Sequence, residues 1–224
     1  MRIGIVAALA SEAAVFGALR GPLLADHEYE LVVSGPGHAN AAQAASELIQ
    51  GGSEALLSWG LAGGLDHELA AGDIVVANGL RGTDGVHLAA DASLLAMLRT
   101  RLDPVRTRTG TVLSVDSPVA GCREKVALNV RYGACAVEME ALAVARTAHA
   151  AGLPFLCLRV ICDPVDCEIP AAALAGMAAD GTLQPWRTLT ALIAAPRQLP
   201  GMLQLALHYR RALASLREAA QRLA

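Results

Sequence analysis

Carboxylate side chains follow three of the apolar runs in this sequence, at the points where those runs end. Glu12 follows the first run, Glu138 and Glu140 follow the sixth, and Asp163 closes the seventh. In open α/β sheets ligands collect at the carboxyl ends of strands, where side chains and backbone donors meet. The sequence therefore predicts a site built from acidic groups.

Asp163 has the surroundings expected of a general acid. It ends the apolar run 155–162, and apolar surroundings raise the pKa of a carboxylic acid because they disfavour its charged form. A carboxylic acid that keeps its proton near neutral pH can donate it to a leaving group. The alternative is an aspartate that only caps the turn before Pro164.

The segment Glu138-Met139-Glu140 has the residue types that would hold a ribose. Two neighbouring hydroxyls need a bidentate acceptor, which Glu140 supplies, and the ring needs an apolar surface, which Met139 supplies. The alternative is that Glu140 only stabilises the N-terminus of the helix that follows it. Arg159, inside the seventh run, needs an anionic partner if it is buried, and Glu12 is the predicted partner.

A glycine-rich loop is predicted at 59–65, where backbone could approach a ligand closely. It lacks the spacing of dinucleotide and P-loop motifs, so a tight turn explains it equally well. No His, Cys, Asp or Glu set has metal-ligand spacing, and no metal is predicted. Ser34 and Ser58 lack the order of a serine hydrolase. The thiol of Cys162 is interpreted as a small core residue.

The composition excludes several classes of function. The net charge of −3 disfavours nucleic-acid binding, and no run of about twenty apolar residues could cross a bilayer. Five cysteines without a C-x-x-C pair are typical of a reducing compartment, so a cytoplasmic location is expected. Lys125 is the only lysine, which is attributed here to genome composition.

Alternating apolar and amphipathic runs predict an α/β fold. Strands are predicted at 2–8, 30–34, 55–60, 73–78, 109–115, 134–137 and 154–162, and helices at 11–20, 38–50, 90–101, 140–151 and 201–224. A single domain over 1–224 is expected, with 170–224 a Leu- and Arg-rich helical part. Its terminal helix is predicted to pack on the body, with contact to a membrane surface as the alternative.

Five segments in order resemble the nucleoside phosphorylase superfamily, especially its methylthioadenosine/S-adenosylhomocysteine nucleosidase branch. They are IGIVAALASE, SGPGHANAA, WGLAGGLDHELAAGDIVVAN, AVEMEALAVARTAHAAGLPF and RVICD. The last third, with DPVDCEIPAAAL, DGT and RQLPGMLQLAL, resembles the hopanoid-associated phosphorylases, which are linked to removing adenine from adenosylhopane. The resemblance implies a three-layer α/β/α domain with a mixed, partly barrel-like sheet.

The resemblance also implies a role for each matched residue. Asp163 would protonate N7 of a purine, and Glu12 would orient or deprotonate the attacking water beside Arg159. Glu140 and Met139, with Glu138, would hold the ribose. Backbone at Ala62 and Gly63 would line the purine side, and Cys162 and Val119 are further expected substrate-binding residues. No cofactor is required, and a homo-oligomer is expected.

Hydrolysis is predicted over phosphorolysis. Phosphorylases of this superfamily carry two phosphate-binding arginines, one of them around the position of Ser58, and neither is matched here. Leu9, Pro36 and the Leu-rich end suggest a long apolar group at the 5′ position of the substrate, with peripheral membrane contact as a further expectation. Phosphorolysis of the same bond, methylthioadenosine or S-adenosylhomocysteine as substrate, and a non-catalytic nucleoside-binding module remain as alternatives.

Overall fold

The computed structural model describes residues 1–18, 22, 24, 27–102, 107–176 and 184–224. The strands are β1 Arg2–Ala7, β2 Glu28–Val33, β3 Ala55–Gly64, β4 Ile74–Gly82, β5 His87–Ala89, β6 Thr107–Ser114, β7 Ala136–Glu138 and β8 Phe155–Asp163. The α-helices are α1 Ala10–Ala13, α2 His38–Gln50, α3 Ala92–Leu102, α4 Cys122–Tyr132, α5 Ala141–Ala150, α6 Ala171–Ala175, α7 Pro185–Ala194 and α8 Leu199–Leu223. Two 3₁₀ helices occupy Ala14–Ala18 and Pro196–Gln198.

The central strands are buried on both faces, which is why their sequences are nearly continuous apolar runs. Successive side chains of a strand point to opposite faces. On β8, Leu158 and Val160 pack in the core layer that contains α3 and α8, whereas Cys157 and Ile161 pack in the layer that contains α2 and α5. The result is a sheet with helices on both sides.

Five strands close into a barrel. β3 pairs with β7 and β8, β7 pairs with β6, β6 pairs with β4, and β4 pairs with β8. The parallel strands β1 and β2 extend this ring beyond β3, and β5 extends it beyond β4. The α/β fold with a mixed, partly barrel-like sheet is therefore confirmed.

The seven predicted strands all form, with their ends shifted by up to four residues. The prediction of a loop at 59–65 is wrong, because β3 continues to Gly64 and pairs there with both β7 and β8. The short strand β5 was not predicted. It has three residues and only one partner, β4.

The predicted helix at 11–20 is shorter than expected: α1 ends at Ala13 and a 3₁₀ helix follows to Ala18, while 19–20 lie outside the described residues. The DGT segment of the C-terminal resemblance, at 180–182, lies outside them too. No helix in the described ranges is long and apolar enough to span a membrane. Helices α4, α6 and α7 were not predicted, and α4 carries Lys125, which contacts Asp163.

Candidate active site

Asp163 stands at the carboxyl end of β8, next to Gly63 on the parallel strand β3. Its side chain is 11% exposed and accepts a 2.7 Å hydrogen bond from Nζ of Lys125. Burial raises the pKa of Asp163 above its ordinary value, although the charge of Lys125 opposes the rise. Asp163 therefore keeps its proton to a higher pH than an aspartic acid in water would.

Glu12 lies in α1, directly after β1, and is buried. Its carboxyl group accepts hydrogen bonds from the backbone N–H groups of Leu9, at 2.9 Å, and Leu61, at 2.8 Å. Burial raises the pKa of Glu12, while these donors and the charge of Arg159 oppose the rise. Two backbone donors and its burial fix this carboxyl group against the middle of β3.

Two glycines of β3 make room for the two carboxyl groups. A β-carbon at position 60 would lie 2.7 Å from Oε1 and 2.8 Å from Cδ of Glu12. A β-carbon at position 63 would lie 3.0 Å from Oδ2 of Asp163. The glycine-rich sequence is thus explained by close packing of acids against a strand, and not by a loop.

The ion-pair partner of Arg159 is Glu138, which corrects the prediction of Glu12. Nη2 of Arg159 donates to Oε2 of Glu138 at 2.8 Å and to the hydroxyl of Ser58 at 2.7 Å. Both charged side chains are almost fully buried. Glu12 is close enough for Arg159 to affect its pKa, but it makes no ion pair within the described residues.

Glu138 also caps helix α5. Its Oε2 accepts the backbone N–H groups of Glu140, at 2.9 Å, and Ala141, at 2.6 Å, while Oε1 accepts the hydroxyl of Ser114. Carboxylates are favoured at helix N-termini, where backbone donors lack partners. Glu138 therefore performs the capping role that the alternative interpretation gave to Glu140.

Glu140 makes no capping hydrogen bond of its own. Its Oε1 accepts the backbone N–H of Gly37 at 2.9 Å, which connects the start of α5 with the start of α2. Burial, and then the nearby charge of Glu138, raise the pKa of Glu140 to about 7. The negative charge of this carboxyl group is therefore favoured only above about pH 7, although an oxygen without a proton can accept a hydrogen bond in either state.

An apolar wall adjoins these carboxyl groups. Met139 is half-buried and packs against a cluster that contains Val119, Leu65 and Val137. Ala62 is buried on β3, and the irregularity in the pairing of β3 with β8 lies between Ala62 and Gly63. Burial raises the pKa of the Cys162 thiol to about 12, so it stays protonated near neutral pH, in agreement with the core interpretation.

Lys125 is the residue that the sequence interpretation missed. It is fully buried, and α4 places its ammonium group against Asp163. The signal available in the sequence was its uniqueness as the only lysine in the chain, which genome composition alone does not explain once its burial is known. Because α4 has little apolar periodicity, its sequence does not show that Lys125 faces inward.

A surface cavity of about 180 Å³ borders this group of residues, because it is lined by Ser114, whose hydroxyl donates to Glu138. It is lined by His38, Asp84, Ser114, Asp116 and Arg146, among others, and by none of the acids Glu12, Glu140 and Asp163. His38 pairs with Asp116 at 3.1 Å, and Arg146 pairs with Asp84. Across the described part of the chain, no group of three or more His, Cys, Asp or Glu side chains could hold a metal ion.

The closed barrel with helices on both sides defines an α/β fold, and the buried carboxyl groups around β3 form its candidate site. Residues 10–181 match the family model described as Phosphorylase superfamily, and the chain belongs to that superfamily. It is similar to the 5′-methylthioadenosine/S-adenosylhomocysteine nucleosidase of Bacillus cereus (strain B4264). The identity is 30% over 162 residues, which cover 63% of this chain and 70% of that protein.

Solved structures share the fold. The 5′-methylthioadenosine/S-adenosylhomocysteine nucleosidase from Neisseria meningitidis, in complex with methylthio-immucillin-A, superposes with a TM-score of 0.73 at 18% identity, covering 99% of this chain and 96% of that one. The futalosine hydrolase of Helicobacter pylori strain 26695 gives a TM-score of 0.65 at 22% identity, covering 73% and 88%. The enzyme class predicted from the sequence, purine nucleosidase or nucleoside phosphorylase, is confirmed.

Proposed function

We propose that this enzyme hydrolyses the N-glycosidic bond of a purine nucleoside and releases adenine. The observation that carries the proposal is the carboxyl group of Asp163, which is buried at the carboxyl end of β8 with its pKa raised. An acid in this state can protonate a base that would otherwise leave as a poor anion. The similarity to nucleosidases supports the same reaction.

In the proposed reaction, water attacks C1′ of the ribose as the bond from C1′ to the purine breaks. Asp163 gives its proton to N7 of the purine. The purine takes the electron pair of the broken bond and leaves as neutral adenine. Glu12 accepts a proton from the water. Proton exchange with solvent then returns a proton to Asp163 and removes one from Glu12. Glu140 accepts the ribose hydroxyls above Met139, and its negative charge favours the positive charge that develops on the sugar.

Glu138 would act on this reaction indirectly. Both of its oxygens already accept protein hydrogen bonds, and one of them binds Arg159. We infer that it positions Arg159 and the start of α5, where Glu140 lies. Nε of Arg159 is buried and has no hydrogen-bond partner among the described residues, so it is a donor available to the attacking water.

Water is proposed as the acceptor because the site favours it over phosphate. Glu12 is a buried acid that would repel an incoming anion, and Ser58 stands where the resemblance places a phosphate-binding arginine. The cationic Arg159 is already paired with Glu138. The test is adenine release measured with and without phosphate: we expect equal rates and a sugar with a free hydroxyl at C1′ as product, and a strict need for phosphate would establish phosphorolysis.

The finer proposal is a substrate with a long apolar 5′ group, such as adenosylhopane. Tyr209 on α8 donates to Ser11 in α1 at 2.7 Å, which ties the terminal helix to the segment that carries Glu12. Six large apolar side chains of α7 and α8 are exposed: Trp186, Leu189, Ile193, Leu199, Leu203 and Leu207. Mass spectrometry of products from adenosine derivatives should show faster cleavage with an apolar 5′ chain, and rapid cleavage of methylthioadenosine alone would favour that substrate instead.

The same exposed face supports contact with an anionic membrane. Within 184–224 there are six arginines and one glutamate, a net charge of +5 in a chain whose net charge is −3. Apolar side chains beside arginines suit the boundary of anionic lipid. We expect the double variant Leu203→Gln, Leu207→Gln to sediment at least about fivefold less with phosphatidylserine vesicles than wild type does.

Val130→Gln is the matched control, because Val130 is an apolar side chain that is 80% exposed on a different helix, α4. It should sediment as wild type does. Wild-type protein that stays in solution, or that forms a stable dimer through Leu203 and Leu207, would contradict the membrane proposal.

Gly60 and Gly63 provide a test of the packing that places the acids. Gly60→Ala would push Glu12 aside, and Gly63→Ala would push Asp163, since each added carbon would lie 3.0 Å or less from a carboxyl atom. We expect kcat/KM for adenine release to fall by about 10²-fold and about 10-fold respectively, because small misplacements of reacting groups are costly. Gly17→Ala meets no atom within 4 Å and should act as wild type. Equal rates in all three variants would show that the acids tolerate displacement.

A further inference from the structure

Lys125 makes an unusually complete set of contacts for a buried cation. Nζ donates to Oδ2 of Asp163 at 2.7 Å and to three carbonyl oxygens: those of Asp163, at 3.0 Å, Pro164, at 3.0 Å, and Cys167, at 2.8 Å. The side chain has no solvent exposure. The ammonium group is therefore surrounded by one carboxyl oxygen and three carbonyl oxygens of the segment that ends β8.

The charge of Lys125, and not its volume, explains its position. It is the only buried residue of α4, and an apolar side chain there would leave one carboxyl oxygen and three carbonyl oxygens without their donor. Burial of an ammonium group costs several kcal/mol unless an anion and further acceptors compensate. A helix that buries one residue, and buries a cation against the proposed acid, indicates a role in the chemistry of that acid.

Other titratable groups near Asp163 make no comparable contact. Cys162 precedes it on β8, Cys167 follows β8, and His208 on α8 contributes a weaker electrostatic effect. Both thiols have raised pKa values because they are buried, so they stay neutral near pH 7. Within the described ranges Lys125 is the one cation bonded to this carboxyl group.

We propose that Lys125 positions the carboxyl group of Asp163 and stabilises the carboxylate that forms when Asp163 has protonated the leaving purine. This inference deepens the proposed function and rests on it. The ammonium group keeps its proton throughout. The proton on Asp163 passes to the purine, and the negative charge left on the carboxylate is neutralised by a cation already in contact. Because Lys125 occupies Oδ2, the proton is directed to the other oxygen, Oδ1.

Lys125→Met tests this role because it keeps the length of the side chain and removes the charge. Activity requires a protonated Asp163, so it is lost as pH rises through the pKa of that group. Without Lys125 that pKa should rise, and the alkaline limb of kcat/KM should move up by about one pH unit or more. We expect the maximum to fall by about 10²-fold, since the acid is weaker and less well oriented.

A riboside with a nitrophenolate leaving group separates this role from a structural one. Nitrophenolate leaves without protonation, so Lys125→Met should lower its cleavage by no more than roughly threefold. Arg123→Met is the matched control, because Arg123 is an exposed cation of the same helix, and it should leave both activities and the pH limb unchanged. Equal losses on both substrates, or an unmoved alkaline limb, would overturn the proposal.

A second measurement depends neither on activity nor on the folding of Lys125→Met. Because Lys125 is the only lysine, protein labelled with ¹⁵N-lysine gives one side-chain NMR signal that needs no assignment. In wild type this signal should shift as Asp163 titrates, and in Asp163→Asn that step should disappear. Identical titrations would overturn the inference. Wild type that releases no adenine but shows the step would instead refute the proposed function alone.

Discussion

Asp163→Asn is expected to lower kcat/KM for adenine release by about 10³-fold, the largest effect of any single change in this chain. An amide has the shape of the carboxylic acid but cannot supply the proton, and general acid catalysis is commonly worth about 10²–10⁴-fold. Steady-state rates of adenine release, with phosphate absent, measure the effect. KM should change little, because the interaction is made mainly in the transition state.

The loss must not come from unfolding. Asp163→Asn leaves Lys125 with three carbonyl acceptors but no anionic partner, so the melting temperature should fall by roughly 5–15 °C, and the rates are measured well below it. Asp116→Asn is the matched control, because Asp116 is 84% exposed and its carboxyl group pairs only with His38 among the described residues. Retention of activity by Asp163→Asn within a few-fold would remove the basis of the proposed mechanism.

Glu140→Gln is expected to lower kcat/KM by about 10²-fold and to stabilise the protein above neutral pH. The amide oxygen of the variant could still accept the N–H of Gly37, but the side chain would carry no negative charge toward the sugar. The pKa of Glu140 is raised to about 7, so wild-type activity should rise as pH increases through 7. That acidic limb should be absent from Glu140→Gln.

The free energy of unfolding should depend on pH in the opposite sense to activity, falling as pH rises. The folded pKa of about 7 lies above the ordinary value of 4.5, so folding favours the protonated form. Wild type therefore loses stability as pH rises from about 4.5 to 7, by roughly 1–3 kcal/mol on the scale of 1.36 kcal/mol per pKa unit. Denaturant unfolding of Glu140→Gln should lack this loss. Glu124→Gln, an exposed change on α4, should follow wild type; parallel curves for all three proteins would contradict the assignment.

Much of the fold was predictable because two-sided burial produces an easily recognised sequence. Runs such as 154–162 are apolar throughout, and their ends mark where polar side chains meet. The structure brings Glu12 and Asp163 to one strand, β3, as the strand-end argument predicts. The roles of the individual site residues remain predictions, which the variants described above would test.

The partner of Arg159 was not predictable, because it depends on how the barrel closes. Two glutamates, Glu12 and Glu138, were available from the sequence. The closure of β7 between β3 and β6 places Glu138 against Arg159, and no local pattern in a three-residue strand encodes this arrangement. The glycines of β3 were interpreted as a loop for a related reason. The acids that pack against them come from distant parts of the chain, and only the fold shows that these acids require glycine.

The burial of Lys125 determines how the folded protein meets amine-directed chemistry. With its single lysine side chain fully enclosed, the native molecule offers no lysine amine to acylating reagents, cross-linkers or coupling resins. Acetylation of that side chain would need at least local opening of the segment around α4 and the end of β8. The rate at which a small acylating reagent modifies it would therefore report how often the neighbourhood of Asp163 opens.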